Sequence, residues 1–80
     1  MTQNETVQQE LVLRLQNTSK QVKLVRLEPW GDEQSLEPNQ MLEISGSGPS
    51  VARLRLEIAN DSVTLWGWEG SILGIALVDE

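Results

Sequence analysis

Apolar and polar residues alternate along most of the chain after Gln9, which is the period of β-strands because successive strand side chains point to opposite faces. The alternation is clearest in residues 10–16 and 51–58, where Leu, Ala or Ile occupies every second position. Clusters of Gly, Pro, Asn, Asp and Ser separate these segments and are typical of turns. Six or seven strands are therefore predicted, in residues 10–16, 21–28, 34–37, 41–45, 51–58, 63–68 and 72–78.

An antiparallel β-sandwich accounts best for this pattern. No longer segment has apolar residues at the spacing of an amphipathic helix. Short strands separated by frequent turns are typical of antiparallel sandwiches and small barrels. We therefore predict an all-β fold, a small antiparallel β-sandwich. Residues 10–80 are predicted to form this single domain, and the polar residues 1–9 a flexible N-terminal tail.

The predicted core contains the inward-facing aliphatic residues of the strands and at least one Trp. Only one of Leu42 and Ile44 is expected to face it. Residues 46–50, Gly-Ser-Gly-Pro-Ser, are predicted to form the most flexible internal loop. Residues 72–78 are apolar on both faces, which predicts a central or covered strand. The candidate core residues are Leu11, Leu13, Leu15, Val22, Leu24, Leu42, Ile44, Leu54, Leu56, Ile58, Leu65, Ile75 and Leu77.

The composition argues against several classes of chemistry. The 80-residue chain has no His and no Cys, the residues that supply most transition-metal sites and nucleophile–base pairs. We therefore expect no metal, no cofactor and no enzyme. Lys and Arg total 6 against 12 Asp and Glu, and the net charge is −6. An acidic protein is poorly suited to bind phosphate backbones or anionic lipid, so neither nucleic acid nor a membrane is an expected partner.

The location of the protein is predicted from its apolar segments. No stretch approaches the roughly 20 apolar residues that span a bilayer. The first nine residues are polar and do not have the apolar centre of a signal peptide. A cytoplasmic location is therefore expected.

Three Trp residues supply all of the aromatic bulk, since the chain has no Phe and no Tyr. Trp66 and Trp68 are separated only by Gly67, so on a regular strand both rings project from one face. Such a pair is a stacking platform for a sugar ring or for an apolar side chain of a partner. The other interpretation is that the rings fill the core, and we favour it for at least one of them.

A second candidate site surrounds Trp30, in the Leu-Glu-Pro-Trp-Gly sequence of residues 27–31. An exposed Trp30 is an anchor for a protein partner, whereas a buried Trp30 covers one end of the core, which is the interpretation we favour. Paired carboxylates catalyse hydrolysis where their environments separate their pKa values. The spacing here matches no defensible calcium or catalytic motif, so exposed surface acids are the ordinary interpretation. The acids of this turn are Glu28, Asp32, Glu33 and Glu37.

Four short segments carry a resemblance to known proteins. They are Asn-Thr-Ser at 17–19, Leu-Glu-Pro-Trp-Gly at 27–31, Leu-Glu-Pro at 36–38 and Leu-Trp-Gly-Trp-Glu-Gly-Ser at 65–71. The chain resembles a group of small bacterial all-β proteins that share a Glu-Pro-Trp-Gly turn and a late aromatic-Gly-Trp stretch. The resemblance covers most of residues 10–78 and implies a β-sandwich of cupredoxin-like or immunoglobulin-like topology. It implies no activity, and without His and Cys it implies no copper site.

Three functional hypotheses follow. The first is a non-catalytic protein-interaction module, in which an unknown protein partner or a second copy binds the Trp30 turn or an uncovered face of residues 72–78. The alternative is a carbohydrate-binding module that stacks sugars on Trp66 and Trp68. A hydrolase that uses Glu28 with Asp32 or Glu33 ranks last, because the sequence supplies no oxyanion site. The candidate partner-binding residues are Trp30, Trp66, Trp68, Glu28 and Asp32.

Overall fold

The computed structural model describes residues 8–49 and 53–78, which form seven strands and no helix. The predicted all-β class is therefore confirmed. None of the described residues belongs to a helix that could cross a membrane. In chain order the strands are β1 (Gln8–Gln16), β2 (Lys23–Glu28), β3 (Asp32–Leu36), β4 (Met41–Pro49), β5 (Arg55–Ile58), β6 (Ser62–Trp66) and β7 (Ile72–Leu77).

The strands form two sheets. The three-stranded sheet has the order β1-β4-β7 and is antiparallel throughout. The four-stranded sheet has the order β3-β2-β6-β5, in which β2 and β6 run parallel and the other neighbours run antiparallel. The sheets are therefore mainly antiparallel, with one parallel pair that the turn pattern did not predict.

One hydrophobic core takes side chains from both sheets. The four-stranded sheet contributes Val25, Leu27, Leu36 and Leu65, and the three-stranded sheet contributes Leu42, Ile44 and Leu73. Leu13, Leu15, Leu54, Val63, Trp68 and Ile75 pack against this cluster. Leu42 and Ile44 are both fully buried. The expectation that only one of them enters the core is wrong, because residues two apart on a strand share a face.

Six other predicted core residues lie outside this cluster. Leu11 and Leu24 are only half-buried, and the remaining four are exposed: Val22 51%, Leu56 41%, Ile58 78% and Leu77 50%. On β2 the buried face is that of Val25 and Leu27, opposite to the predicted one. On β5 the alternation of Leu56 and Ile58 is real, but the strand lies at a sheet edge and all four of its residues are exposed.

The predicted flexible loop at residues 46–50 is largely a strand. Gly46 to Pro49 extend β4 and pair with β1, and Gly46 also pairs with Leu73 of β7. Ser50 lies outside the described residues, as do residues 51 and 52 of the predicted fifth strand. Gly46 and Gly48 are buried and leave room for the ring of Trp68, whose Cη2 is 3.6 Å from the position that a β-carbon at residue 46 would occupy.

The two ends of the chain are described in part. Strand β1 begins at Gln8, two residues before the predicted start of the domain, and residues 1–7 of the predicted tail lie outside the described residues. The last strand, β7, pairs with β4 alone among the described residues. The prediction of a central or covered strand is therefore wrong for β7, which lies at an edge.

Candidate interaction site at a sheet edge

Trp66 and Trp68 have different surroundings, and the predicted stacking platform is not formed. Trp66 is the last residue of β6, and its Nε1 donates to Glu57 Oε1 of β5 at 3.1 Å. Trp68 lies beyond the strand end and packs against the core, where its Nε1 donates to Pro49 O at 2.8 Å. The prediction that at least one ring fills the core is confirmed by Trp68. The shared face is wrong because the strand ends at Trp66.

Trp66 belongs to a small polar cluster on β5 and β6. The guanidinium carbon Cζ of Arg55 lies 4.9 Å from the centroid of the Trp66 ring, within the range of a cation–π contact. Arg55 Nη2 is also 3.4 Å from Glu57 Oε2. One face of the ring and its N–H group are therefore occupied by neighbouring side chains, which makes this ring a poor stacking surface.

Trp30 covers a corner of the molecule instead of standing free. Its ring lies over Gly67, and Gly67 N donates to Glu28 O at 3.0 Å, which ties the corner to the end of β2. Trp30 is still 41% exposed. Ser71 Oγ, under the same corner, is buried and has no hydrogen-bond partner among the described residues. Trp30 therefore packs over Gly67, but it is not buried and is not among the side chains that pack against the core, so it does not match the favoured interpretation of a buried cover of the core.

The acids around the Trp30 turn do not converge. Glu28 is half-buried at the end of β2, whereas Asp32 and Glu37 are exposed. Glu33 Oε2 is 2.9 Å from Arg26 Nε on the neighbouring strand. An exposed pair of this kind contributes at most about 1 kcal/mol to stability. In the described part of the chain, no three acids lie close enough together to hold a metal ion.

Within residues 8–49 and 53–78, the outer side of β7 has no partner strand, so β7 forms an edge of the three-stranded sheet. Val78 N donates to Met41 O of β4, which fixes the side on which each residue of this segment bonds. Backbone groups of successive residues in an antiparallel strand point to opposite sides. The N–H and C=O groups of Leu73, Ile75 and Leu77 therefore point away from β4, towards the free edge.

Strand β7 differs from the other edge strands in charge. In the described part of the chain, four strands lie at sheet edges: β1, β3, β5 and β7. Strand β1 carries Glu10 and Arg14, β3 carries Asp32 and Glu33, and β5 carries Arg55 and Glu57. Strand β7, with the sequence Ile-Leu-Gly-Ile-Ala-Leu, carries neither a charge nor a Pro. It is therefore the edge with the least protection against pairing with another strand.

Apolar surface continues from β7 onto the outer face of its sheet. Ile72 is 69% exposed and Val12, on β1, is 65% exposed. Between them lies a shallow depression of about 370 Å³, which is lined by Ser45 and Gly74 among others. A strand bound at β7 would therefore find Ile72 beside the backbone edge, whereas Val12 lies on the opposite edge of the sheet.

The segment that the sequence singled out as a possible uncovered face, residues 72–78, contains the uncharged edge strand β7. Residues 72–78 were expected to interact through an uncovered face, whereas the structure offers the backbone of Leu73, Ile75 and Leu77. The signal was present in the sequence, because an apolar strand with no charge is either covered on both sides or an unprotected edge. No family model matches the chain, and no curated protein or solved structure matches it either. The resemblance to small bacterial all-β proteins therefore stays a prediction.

Proposed function

We propose that this protein is a non-catalytic interaction module that binds an extended apolar segment of a protein along β7. The observation that carries the proposal is the edge position of Ile72–Leu77 together with its lack of charge and Pro. Proteins usually protect an edge strand with such residues, because an unprotected edge is a template for strand addition. Strand addition is also a common mode of peptide recognition.

The bound segment would extend the three-stranded sheet by one strand. Its backbone would pair with the outward N–H and C=O groups of Leu73, Ile75 and Leu77. Side chains on its inner face would pack beside Leu77, which is 50% exposed, and those on its outer face beside Ile72. Main-chain hydrogen bonds would give affinity, and these alternate side-chain contacts would select apolar sequences.

The Trp30 turn is a weaker candidate than β7. Its indole contacts Gly67, so a partner that took hold of the ring would disturb the corner that the ring covers. Glu28 and Asp32 flank the turn without forming a site with it. The carbohydrate hypothesis loses its basis, since Trp66 and Trp68 do not share a face. The hydrolase hypothesis has no converging acids among the described residues to support it.

We also infer that the two sheets pack face to face as a β-sandwich, because the core takes buried side chains from both. Constant-type immunoglobulin domains have strand orders equivalent to β1-β2-β5-β4 and β3-β6-β7. The orders here are β1-β4-β7 and β3-β2-β6-β5. Of the two topologies that the resemblance implies, we therefore favour the cupredoxin-like one, without its copper chemistry. The cytoplasmic location stays a prediction from the sequence.

Fluorescence anisotropy with a strand-forming probe tests the proposed function. The probe is a fluorescein-labelled peptide of alternating Val and Thr with Lys at both ends, which resists self-association. A second peptide, with Pro in place of the central Val, has the same charge and cannot complete a strand. We expect the first peptide to bind and the second to bind at least about tenfold more weakly, a difference of roughly 1.4 kcal/mol.

Two matched variants locate the binding edge. Ala76→Lys places a charge on β7 at an exposed position, where the new side chain can reach water, so the fold is expected to hold. Val12→Lys makes the same kind of change on the opposite edge of the same sheet. We expect Ala76→Lys to weaken binding of the peptide by about tenfold and Val12→Lys to leave it within about twofold. Equal effects of the two variants, or no binding by the unaltered protein, would overturn the proposal.

A further inference from the structure

We infer that the segment bound by β7 is β7 of a second copy of this chain, so that the protein forms a two-fold symmetric dimer through a continuous six-stranded sheet. This inference rests on the proposed function of the same edge. Closed two-fold dimers are the commonest assemblies of soluble proteins, and their interface must be self-complementary. The backbone of β7 meets that condition, and one register pairs all three of its outward-directed residues.

The register is centred on Ile75. Antiparallel pairing about this residue places Ile75 opposite Ile75 of the second copy, and Leu73 opposite Leu77. The side chains of Leu73, Ile75 and Leu77 face the core side of the sheet. Their N–H and C=O groups point to the free edge. Each of these residues therefore donates one hydrogen bond and accepts one, and the core faces of both copies lie on the same side of the joined sheet. A shift of the register by one residue would place these outward groups opposite groups that already bond to β4. It would also turn the core faces of the two copies to opposite sides of the joined sheet.

Side-chain sizes also agree in this register. Leu lies opposite Leu on the inner face, and on the outer face Gly74 lies opposite Ala76 of the second copy. Ile72 lies opposite Val78 there, which covers the most exposed apolar side chain of the strand, since Ile72 is 69% exposed. Cross-strand pairs of this kind stabilise antiparallel sheets without overpacking.

Charged residues affect how strongly two copies associate and whether further copies can add to the dimer. Each copy carries a net charge of −6, so two copies repel at a distance. No charge lies on β7, and the nearest charged residue paired with it, Glu43, is neutralised by Arg14 at 3.1 Å. The outer edges of the joined sheet would be the two β1 strands, whose Glu10 and Arg14 oppose further strand addition. Growth would therefore stop at the dimer.

Two consequences can be measured on the unaltered protein. One strand from each copy makes a small interface, so the dimer is expected to be weak. It is expected to become populated as the protein concentration rises from about 10 µM to about 1 mM. Added salt screens the repulsion between the two negatively charged copies and is therefore expected to strengthen the dimer. An association driven by opposite charges would instead weaken with salt. Sedimentation velocity across protein and NaCl concentrations reports both effects.

Single cysteines test the register, since the chain has no Cys of its own. In Ile75→Cys the two new side chains would be directly opposed, with Cα atoms about 5.5 Å apart. This separation lies within the range of disulfides, roughly 4.4–6.8 Å. In the matched variant Leu77→Cys the Cα atoms would be about 13 Å apart along the strands. With oxidised glutathione, Ile75→Cys is expected to form covalent dimers and Leu77→Cys is not.

The outcomes separate the inference from the proposed function. Salt-strengthened dimers and disulfides confined to Ile75→Cys support the inference, and near-ultraviolet dichroism of the Trp residues confirms that both variants are folded. A strict monomer at about 1 mM that still binds the Val/Thr peptide at β7 would overturn the dimer and leave the interaction module standing. Equal crosslinking of both variants would overturn the register. A monomer that binds no strand peptide would remove both proposals.

Discussion

Trp30 and Gly67 are in direct contact, and this contact joins the turn after β2 to the segment after β6. The ring carbon Cη2 of Trp30 lies 2.7 Å from the position that a β-carbon at residue 67 would occupy, and Ser71 Oγ lies 2.5 Å from the same position. Contacts below about 3 Å are overlaps for carbon and oxygen atoms, so only a residue without a side chain fits there. The glycine between Trp66 and Trp68 therefore leaves the space that the ring of Trp30 occupies.

Replacing Gly67 with Ala is expected to destabilise the fold by about 1–3 kcal/mol, because the new methyl group overlaps the indole and the Ser71 hydroxyl. In a Trp30→Ala background the same substitution is expected to cost less, with a coupling of at least about 0.5 kcal/mol between the two sites. Urea unfolding of the two single variants and the double variant measures this coupling. Additive effects would show that Gly67 is required for a reason other than Trp30.

Gly74→Ala is the matched control for this prediction. A β-carbon at residue 74 would lie 3.4 Å from Ser45 Oγ, which is ordinary contact. The expected change in the free energy of unfolding is within about 0.5 kcal/mol. A comparable loss at both glycines would mean that backbone freedom, and not the space under Trp30, explains the cost.

The strands were predictable because their alternation is a local property, but the buried face of a strand is not. In the predicted second strand, residues 21–28, Val22 and Leu24 share a face with Arg26, and Val25 and Leu27 share the other face with Lys23. Each face therefore carries two apolar residues and one charge, and the pattern alone does not choose between them. Tertiary packing decides, since Val25 and Leu27 join the core cluster, which also takes side chains from the three-stranded sheet.

Composition misled the prediction at residues 46–50 for a related reason. Gly, Ser and Pro are turn formers in isolation. In this fold Gly46 and Gly48 sit inside β4 with the indole of Trp68 against them, and the pairing with β1 holds them in the strand. A side chain from far along the chain and the pairing with β1 thus surround this small-residue segment, and local propensity reports neither contact.

Asn17 shows how a turn signal conceals a structural role. The Asn-Thr-Ser sequence predicts a turn, and it begins the connection of residues 17–22 between β1 and β2. The Asn17 side chain is buried, and its Nδ2 donates to Gln21 O and Leu36 O, both at 2.8 Å. Its Oδ1 accepts from Ser19 N at 3.0 Å and from Ser19 Oγ at 2.6 Å. One amide thus holds the turn and fastens it to the end of β3.

Asn17→Ala is expected to destabilise the fold by about 2–4 kcal/mol, because it removes these four bonds and takes the side-chain donor from Leu36 O, whereas Gln21 O keeps its bond from Ser19 Oγ. Thermal unfolding followed by far-ultraviolet dichroism measures the loss. Asn60→Ala is the matched control, since Asn60 is exposed in the turn between β5 and β6 and has no comparable side-chain bonds, and its effect is expected to stay within about 0.5 kcal/mol. Similar losses in both variants would contradict the role assigned to the Asn17 amide.

One face of the four-stranded sheet is buried at Leu65 and exposed at Ile58, and this difference gives a last prediction. Leu65 and Ile58 lie on the same face of neighbouring strands, yet Leu65 is fully buried and Ile58 is 78% exposed. Leu65→Ala is therefore expected to cost about 2–5 kcal/mol through lost burial and the cavity that remains. Ile58→Ala is expected to cost less than about 0.5 kcal/mol, because little surface leaves or enters water. Chemical unfolding at protein concentrations well below about 10 µM, where the proposed dimer would not be populated, separates these values. A large loss for Ile58→Ala would show that this face is covered in solution.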